Sequence, residues 1–151
     1  MKDLIDTWLI HCRINLYLLQ AIDDELLQRS AAKGRSAGEQ FAHLHNVRLM
    51  WLKVAAPDLF AQQTKIEKDT PLSRQLLQQS MEESGAAIAM LLEKGIAEGK
   101  IKGFKPHPSA FVGYLISHES HHRGQLILLL KQAGHKLDAK VLYGMWEWGG
   151  R

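Results

Sequence analysis

Eight histidines stand in this 151-residue chain, and five of them fall between His107 and His135. The most informative string is His118-Glu119-Ser120-His121-His122-Arg123-Gly124-Gln125. On a helix, residues four apart share a face, about one turn from each other. His118 and His122 therefore point the same way and could chelate one ion at about 2.0–2.1 Å. Stepping by four and three from Phe111 gives Leu115, His118, His122, Gln125 and Leu129. That pattern predicts a core-facing seam with the two imidazoles at its centre. Buried imidazoles without a partner are costly to desolvate, and a metal ion is such a partner. His121 cannot share a face with His122 and follows Tyr114 and Ser117 along a flanking stripe. The pair alone is not specific, because many such pairs are surface accidents or hydrogen-bonded core residues.

A second segment offers a third ligand. One stripe, Gln40, His43, Val47, Met50 and Val54, reads as a core-facing seam, and another carries His45 with Phe41, Leu49 and Leu52. His43 and His45 point about 200° apart at 3.6 residues per turn, so only one of them can reach a given ion. The helix is apolar on several sides, and its geometry leaves both open. Glu119 and Arg123 lie on the side of their helix away from the His118–His122 pair and read as interhelix or dimer contacts. No carboxylate sits at a spacing that marks a general base. Gly124 falls in mid-helix, where glycine costs roughly 1 kcal/mol against alanine. A closely approaching helix or substrate would account for it.

The elements that must position these residues are helical. Sustained apolar/polar alternation is missing and Val occurs only four times, so strands are not expected. Apolar residues at Ile5, Leu9, Cys12, Leu16, Leu19 and Leu26 predict a first helix from Asp3 to about Arg29, with Gly34 closing the connection. Ser36-Ala37-Gly38-Glu39 is a capping box that opens the second helix, which must end before Pro57. A polar connection over 56–69 should lead to Thr70-Pro71 as an N-cap with proline at the first helical position. The third helix should run to about Lys94 with Gly95 as its cap. After a loop over 95–107, Pro108 or Ser109 should start a fourth helix that stops at Gly134. Tyr143, Trp146 and Trp148 in the tail suggest an aromatic flap packed on the bundle. Four such helices with short-to-moderate connections predict an all-α four-helix bundle occupying residues 1–151 as one domain.

Composition narrows the partners. Hydrophobic residues make up 46% and charged residues 23%, as in an ordinary globular domain. No apolar run approaches the roughly 20 residues that span a bilayer. The N-terminal segment carries acids and a histidine among its apolar residues, so no secretory leader is expected. The single cysteine, Cys12, allows no internal disulfide and fits the reducing cytoplasm. Net charge is only +3, too little to argue for nucleic acid. The excess lies in residues 100–151, with 8 Lys+Arg against 3 Asp+Glu. These are spaced singly, without the interleaved aromatics of a single-strand-binding groove.

Two segments resemble the DinB-like (DinB/YfiT) family of metal-binding proteins. Ser36 to Leu52, SAGEQFAHLHNVRLMWL, is similar to that family's second helix, with a histidine eight residues before an aromatic. That spacing selects His43, with Trp51 as the aromatic. Ser117 to Gly134, SHESHHRGQLILLLKQAG, resembles the family's His-x-x-x-His pair followed by Arg-Gly-Gln and a leucine-rich turn. The resemblance implies an up-down-down-up bundle over essentially the whole chain. It implies that His43, His118 and His122 bind one divalent ion per chain, nickel, zinc or iron, with water completing the shell. It also implies a homodimer, and in some relatives a metal-dependent thiol S-transferase or hydrolase activity. A chain ending at residue 151 resembles the short members without an assigned reaction.

Two functions are therefore in view. In the first, an open ion held by three imidazoles activates water or a small thiol. In the second, the ion is structural, in a metal-binding or stress-response bundle without catalysis. A metal-free bundle with three core histidines is the bland alternative.

Overall fold

The computed structural model describes residues 2–30 and 33–151. Among them the elements are α1 (Lys2–Gln20), α2 (Asp24–Leu27), α3 (Ala37–Ala55), α4 (Pro57–Phe60), α5 (Arg74–Glu98), α6 (Pro108–Gln132) and α7 (Ala139–Gly144), with a final 3-10 turn over Trp148–Gly150. Four long helices form the bundle. The second opens on the expected capping box: Glu39 N donates to Ser36 Oγ at 3.1 Å, and Ser36 N donates to Glu39 Oε2 at 2.6 Å. The fourth starts at Pro108, with His107 Nδ1 accepting from Ala110 N at 3.2 Å. It ends ahead of Gly134, whose φ is +84°.

Several boundaries differ from those expected. The first helix stops at Gln20 instead of Arg29 because Asp23 leaves the helical region, at φ −68° and ψ 151°. Its carbonyl then restarts the ladder by accepting from Leu26 N and Leu27 N. The connection after α3 contains the short α4. Ser73 caps α5, not Thr70: Leu76 N donates to Ser73 Oγ at 3.1 Å. Thr70 Oγ1 instead donates to Glu67 O in a turn before the helix. At the other end α5 runs past Gly95 to Gly99, which takes φ +72°. Gly95 is needed for another reason. A Cβ there would meet Ile101 Cδ1 and lie 3.0 Å from Lys100 O, where the following loop folds back.

The tail is not an aromatic flap. Leu137, Val141, Leu142 and Met145 pack on the core, and their spacing turns Tyr143 and Trp146 outward. Those two are 74% and 80% exposed.

Cross-helix contacts give the helix directions. Gly38 meets Leu72 near the starts of α3 and α5, and further along Arg48 reaches Met81 O, so these two run parallel. The crossover over 56–73 is long enough to allow it. Trp8 Nε1 donates to Gly85 O and Arg74 donates to Gln20 O, so α1 opposes α5. His11 meets Glu119 while Asn15 meets Arg123, so α1 and α6 are parallel. Gln40 lies by Gln125 and Trp51 by Phe111, so α3 opposes α6. The result is an up-down-down-up four-helix bundle.

The apolar core falls into two clusters. One gathers Leu18, Phe41, Leu77 and Leu126, and the other Trp8, Leu52, Ile88 and Phe111. Between their α1 members lie the fully buried His11 and Asn15. Among the described residues no helix is long and apolar enough to cross a membrane.

Candidate metal centre

The capping box sets the start of α3, and His107 with Pro108 sets that of α6. From those starts, His43 on α3 faces His118 and His122 on the antiparallel α6. The His43–His118 ring centroids are 5.3 Å apart, His43–His122 4.4 Å and His118–His122 4.7 Å. One ring nitrogen from each lies within 4.8 Å of the other two. Nitrogens bound at about 2.0–2.1 Å in a tetrahedral shell sit roughly 3.4 Å apart, so little side-chain movement closes the set onto one ion. The three fit such an ion for a further reason. His118 Nδ1 is buried with no hydrogen-bond partner among the described residues, and an orphaned buried nitrogen calls for one.

His122 is held for the task by its other nitrogen. His122 Nδ1 donates to Gln40 Oε1 at 2.8 Å, which leaves the Nε2 lone pair free. Gln40 Nε2 then donates to Gln125 Oε1 at 3.3 Å, and Gln125 Nε2 to His121 Nε2 at 3.1 Å. His121, whose ring centroid lies 5.1 Å from that of His122, is tied to the site through these two amides but stays outside the ligand group. Burial, then Arg35 and His118, push the His43 pKa down to about 4. Burial, then His43, His118, His121 and Arg35, do the same to His122, also to about 4. Burial lowers that of His118, against the pull of Glu119. Neutral imidazoles, the form that binds metals, result at neutral pH.

Of the two α3 histidines, His43 lies in the three-histidine group and His45 does not. His45 is 1% exposed, and its Nε2 donates to Thr64 O at 2.8 Å. It ties the crossover to α3, beside Asn46, whose side chain bonds both Ile66 O and Ile66 N. The stripe of His43 is not a core seam, however. Met50 is 50% exposed and Val54 43%, so His43 sits on the outward side of α3. Gln125, expected in the core seam of α6, is exposed as well.

Sequence reasoning missed the polar layer behind the site. Arg48 is fully buried, and its Nε and Nη2 donate to the two oxygens of Glu119 at 2.7 and 2.8 Å. Its Nη1 donates to Met81 O on α5, and its guanidinium lies 4.9 Å over the Trp8 ring on α1. Asn15 Nδ2 and His11 Nε2 also donate to Glu119 Oε2, each at 2.7 Å. Arg123 Nη1 closes the layer on Asn15 Oδ1 at 2.6 Å. Burial opposes the charge on Glu119, but Arg48 holds the carboxyl below the usual carboxylate range. Glu119 is thus an interhelix contact, as its side of the helix suggested. A signal was present: Arg48 shares the Phe41–His45–Leu52 stripe, the core side of α3. Cys12, next to Arg48, is no nucleophile, since burial pushes its thiol up to about 12.

Comparison with known proteins matches the chain to a family. A solved DinB-like protein from Bacillus cereus is similar to this chain at a TM-score of 0.71 with 22% identity, over 92% of this chain and 96% of that one. At that identity the likeness concerns the fold. Among curated proteins there is no match. The model of the DinB family matches residues 1–146, and the chain belongs to the DinB family.

Proposed function

We propose that His43, His118 and His122 hold one divalent ion, zinc, nickel or iron, and that the loaded protein acts on a small thiol as an S-transferase or a hydrolase of thiol conjugates. The observation that carries this is the three-histidine group on a half-open face of the bundle, in which every ligand is neutral at physiological pH. Membership of the DinB family and this group fit a metal-binding protein. Three protein ligands leave a position for an exogenous one. Bound there, the ion would supply Lewis acidity that favours the deprotonated form of a water or thiol ligand. Gln40 fixes the His122 ring so that Nε2 faces inward, and the apolar wall of Trp51 and Tyr114 limits water on one side.

A second reading makes the ion structural, because its ligands come from two helices that it would tie together. Against it, α3 and α6 are already joined by the Arg48–Glu119 pair and by Gln40. Residence in the cytoplasm and assembly as a homodimer belong to the same proposal. The reduced, buried Cys12 supports the first, and exposed apolar residues on α3 and α6 support the second.

The test begins with elemental analysis of protein purified without a histidine tag. About one ion per chain is expected, and its loss in a His118→Ala/His122→Ala double variant. Unchanged stoichiometry and affinity in that variant would sink the site. Activity is then screened on thiol electrophiles. A metal that neither accepts an exogenous thiol nor supports turnover would favour the structural reading.

A further inference from the structure

A groove of about 710 Å³ begins at His43 and runs between the start of α3 and the crossover. Arg35 lines it and also lines an adjoining cavity of about 320 Å³ that holds Gln40 and Gln125. It therefore stands between two openings that flank the histidine group. The backbone that follows it is fixed: Ser30 and Ser36 form a β-bridge, Ala37 N donates to Arg29 O, and Ser36 carries the capping box.

The charges of the groove are not equivalent. Glu39 is engaged in the capping box, and Lys65 pairs with Glu67 at 3.3 Å. Lys68 and Asp69 line the groove too. Arg35 is exposed and makes no ion pair or side-chain hydrogen bond among the described residues. It shares the groove with His43. A guanidinium so placed offers a planar fork for two acceptor oxygens, and it is always charged.

We propose that Arg35 is the anion-recognition residue of the centre. It binds the carboxylate of a small thiol whose sulfur takes the open position beside His43, so the preferred ligands are acidic thiols. This rests on the proposed metal site and narrows its substrate class. A neutral thiol would reach the ion but leave the guanidinium without a partner. Discrimination would come from that contact, since a site built for a charged group loses affinity for the analogue lacking it.

The experiment uses the full chain loaded with cobalt(II), which makes thiol binding visible as a sulfur-to-metal absorption band. Mercaptoacetate and 2-mercaptoethanol are titrated separately into the wild type and into Arg35→Gln and Arg35→Lys variants. Cobalt stoichiometry is measured independently for each. The wild type should prefer mercaptoacetate by about tenfold more than Arg35→Gln does, the usual scale of one charge-assisted contact. Arg35→Lys should keep part of the preference, and cobalt stoichiometry should be the same in all three. An identical mercaptoacetate preference in the wild type and Arg35→Gln would overturn the assignment while leaving the metal site standing. Loss of cobalt in Arg35→Gln would overturn it too, because the residue would then serve the ion and not the ligand. A wild type that takes up no cobalt would remove the metal reading and this inference together.

Discussion

At the scale of single residues, the two histidines of α3 separate chemistry from architecture. They are two positions apart, yet His43 joins the His118–His122 pair while His45 bonds the crossover at Thr64. His43→Ala should lose the ion on dialysis, as read by elemental analysis. His45→Ala should keep it and cost about 1–3 kcal/mol of stability, the range for leaving a buried acceptor unpaired. A His45→Ala protein that emptied while His43→Ala stayed loaded would refute the ligand assignment. Protons should compete for the same site. The folded-state pKa values of His43 and His122 are near 4, below the roughly 6.5 of an unfolded histidine. Between those values the unfolded chain binds more protons than the folded one, so stability is lost as pH falls from about 6.5 to about 4. Glu119 acts lower on the scale, because Arg48 overcomes the effect of burial and keeps it ionised past the usual carboxylate range. Thermal melts of metal-free protein should therefore decline with pH across that window, and more steeply when metal is present, since protonation also expels the ion. A melting temperature that stayed flat from pH 6.5 to 4.5 would contradict the neutral-imidazole site.

At the scale of elements, the Arg48–Glu119 pair sets the register of α3 against α6, one residue from His118 and five from His43. A slip of one turn would move His43 by about 5.4 Å along the axis, too far for three nitrogens to share an ion. Removing one partner strands a buried charge, so Glu119→Leu or Arg48→Met should each cost about 3–5 kcal/mol in urea unfolding of metal-free protein. The double variant should cost clearly less than the two losses combined, because neither charge is then left alone. Additive losses would mean that the pair is not coupled. The helix starts at Ser36 and Pro108 and the i,i+4 histidine pair were legible in the sequence because each depends on neighbours in the chain. The ends of α1 and α5 were not. Gly95 looked like a cap but makes room for Ile101, a packing partner six residues on, and Ser73 caps α5 three residues beyond the more conspicuous Thr70-Pro71. Arg48 was passed over for a related reason: a lone charge on an amphipathic helix reads as solvated until Glu119, 71 residues away, is seen to face it. The stripe from His43 to Val54 was misread as core because apolar spacing marks a face without saying what covers it.

At the scale of the whole molecule, a second copy of the chain is expected to cover that face. On α3, Met50 and Val54 are exposed, and on α6, Tyr114 and Leu128 are exposed at 39% and 53%. All four lie on the side where His43 and His118 emerge. Between Tyr114 and Leu128 the outer side of α6 carries Gly124, and Gly113 lies just before Tyr114. A Cβ at either glycine would meet nothing within 4 Å, so neither is required by packing inside the chain, although each weakens the helix by roughly 1 kcal/mol. Small residues of this kind let another helix approach closely, and the apolar residues around them give it something to bury. A dimer formed through this face would cover the Tyr114 side of the centre and Leu128 at the smaller Arg35 cavity, and leave the larger groove beside His43 as the approach for a ligand. Light scattering at micromolar concentrations should then give about twice the chain mass of 17.1 kDa. Gly124→Trp and Met50→Glu should each shift that mass to the single chain while helical circular dichroism is retained. A wild type that stays at the mass of one chain would eliminate the dimer. A Gly124→Trp protein that remains dimeric would move the interface away from α6, and the glycine would then lack a structural reason in this chain.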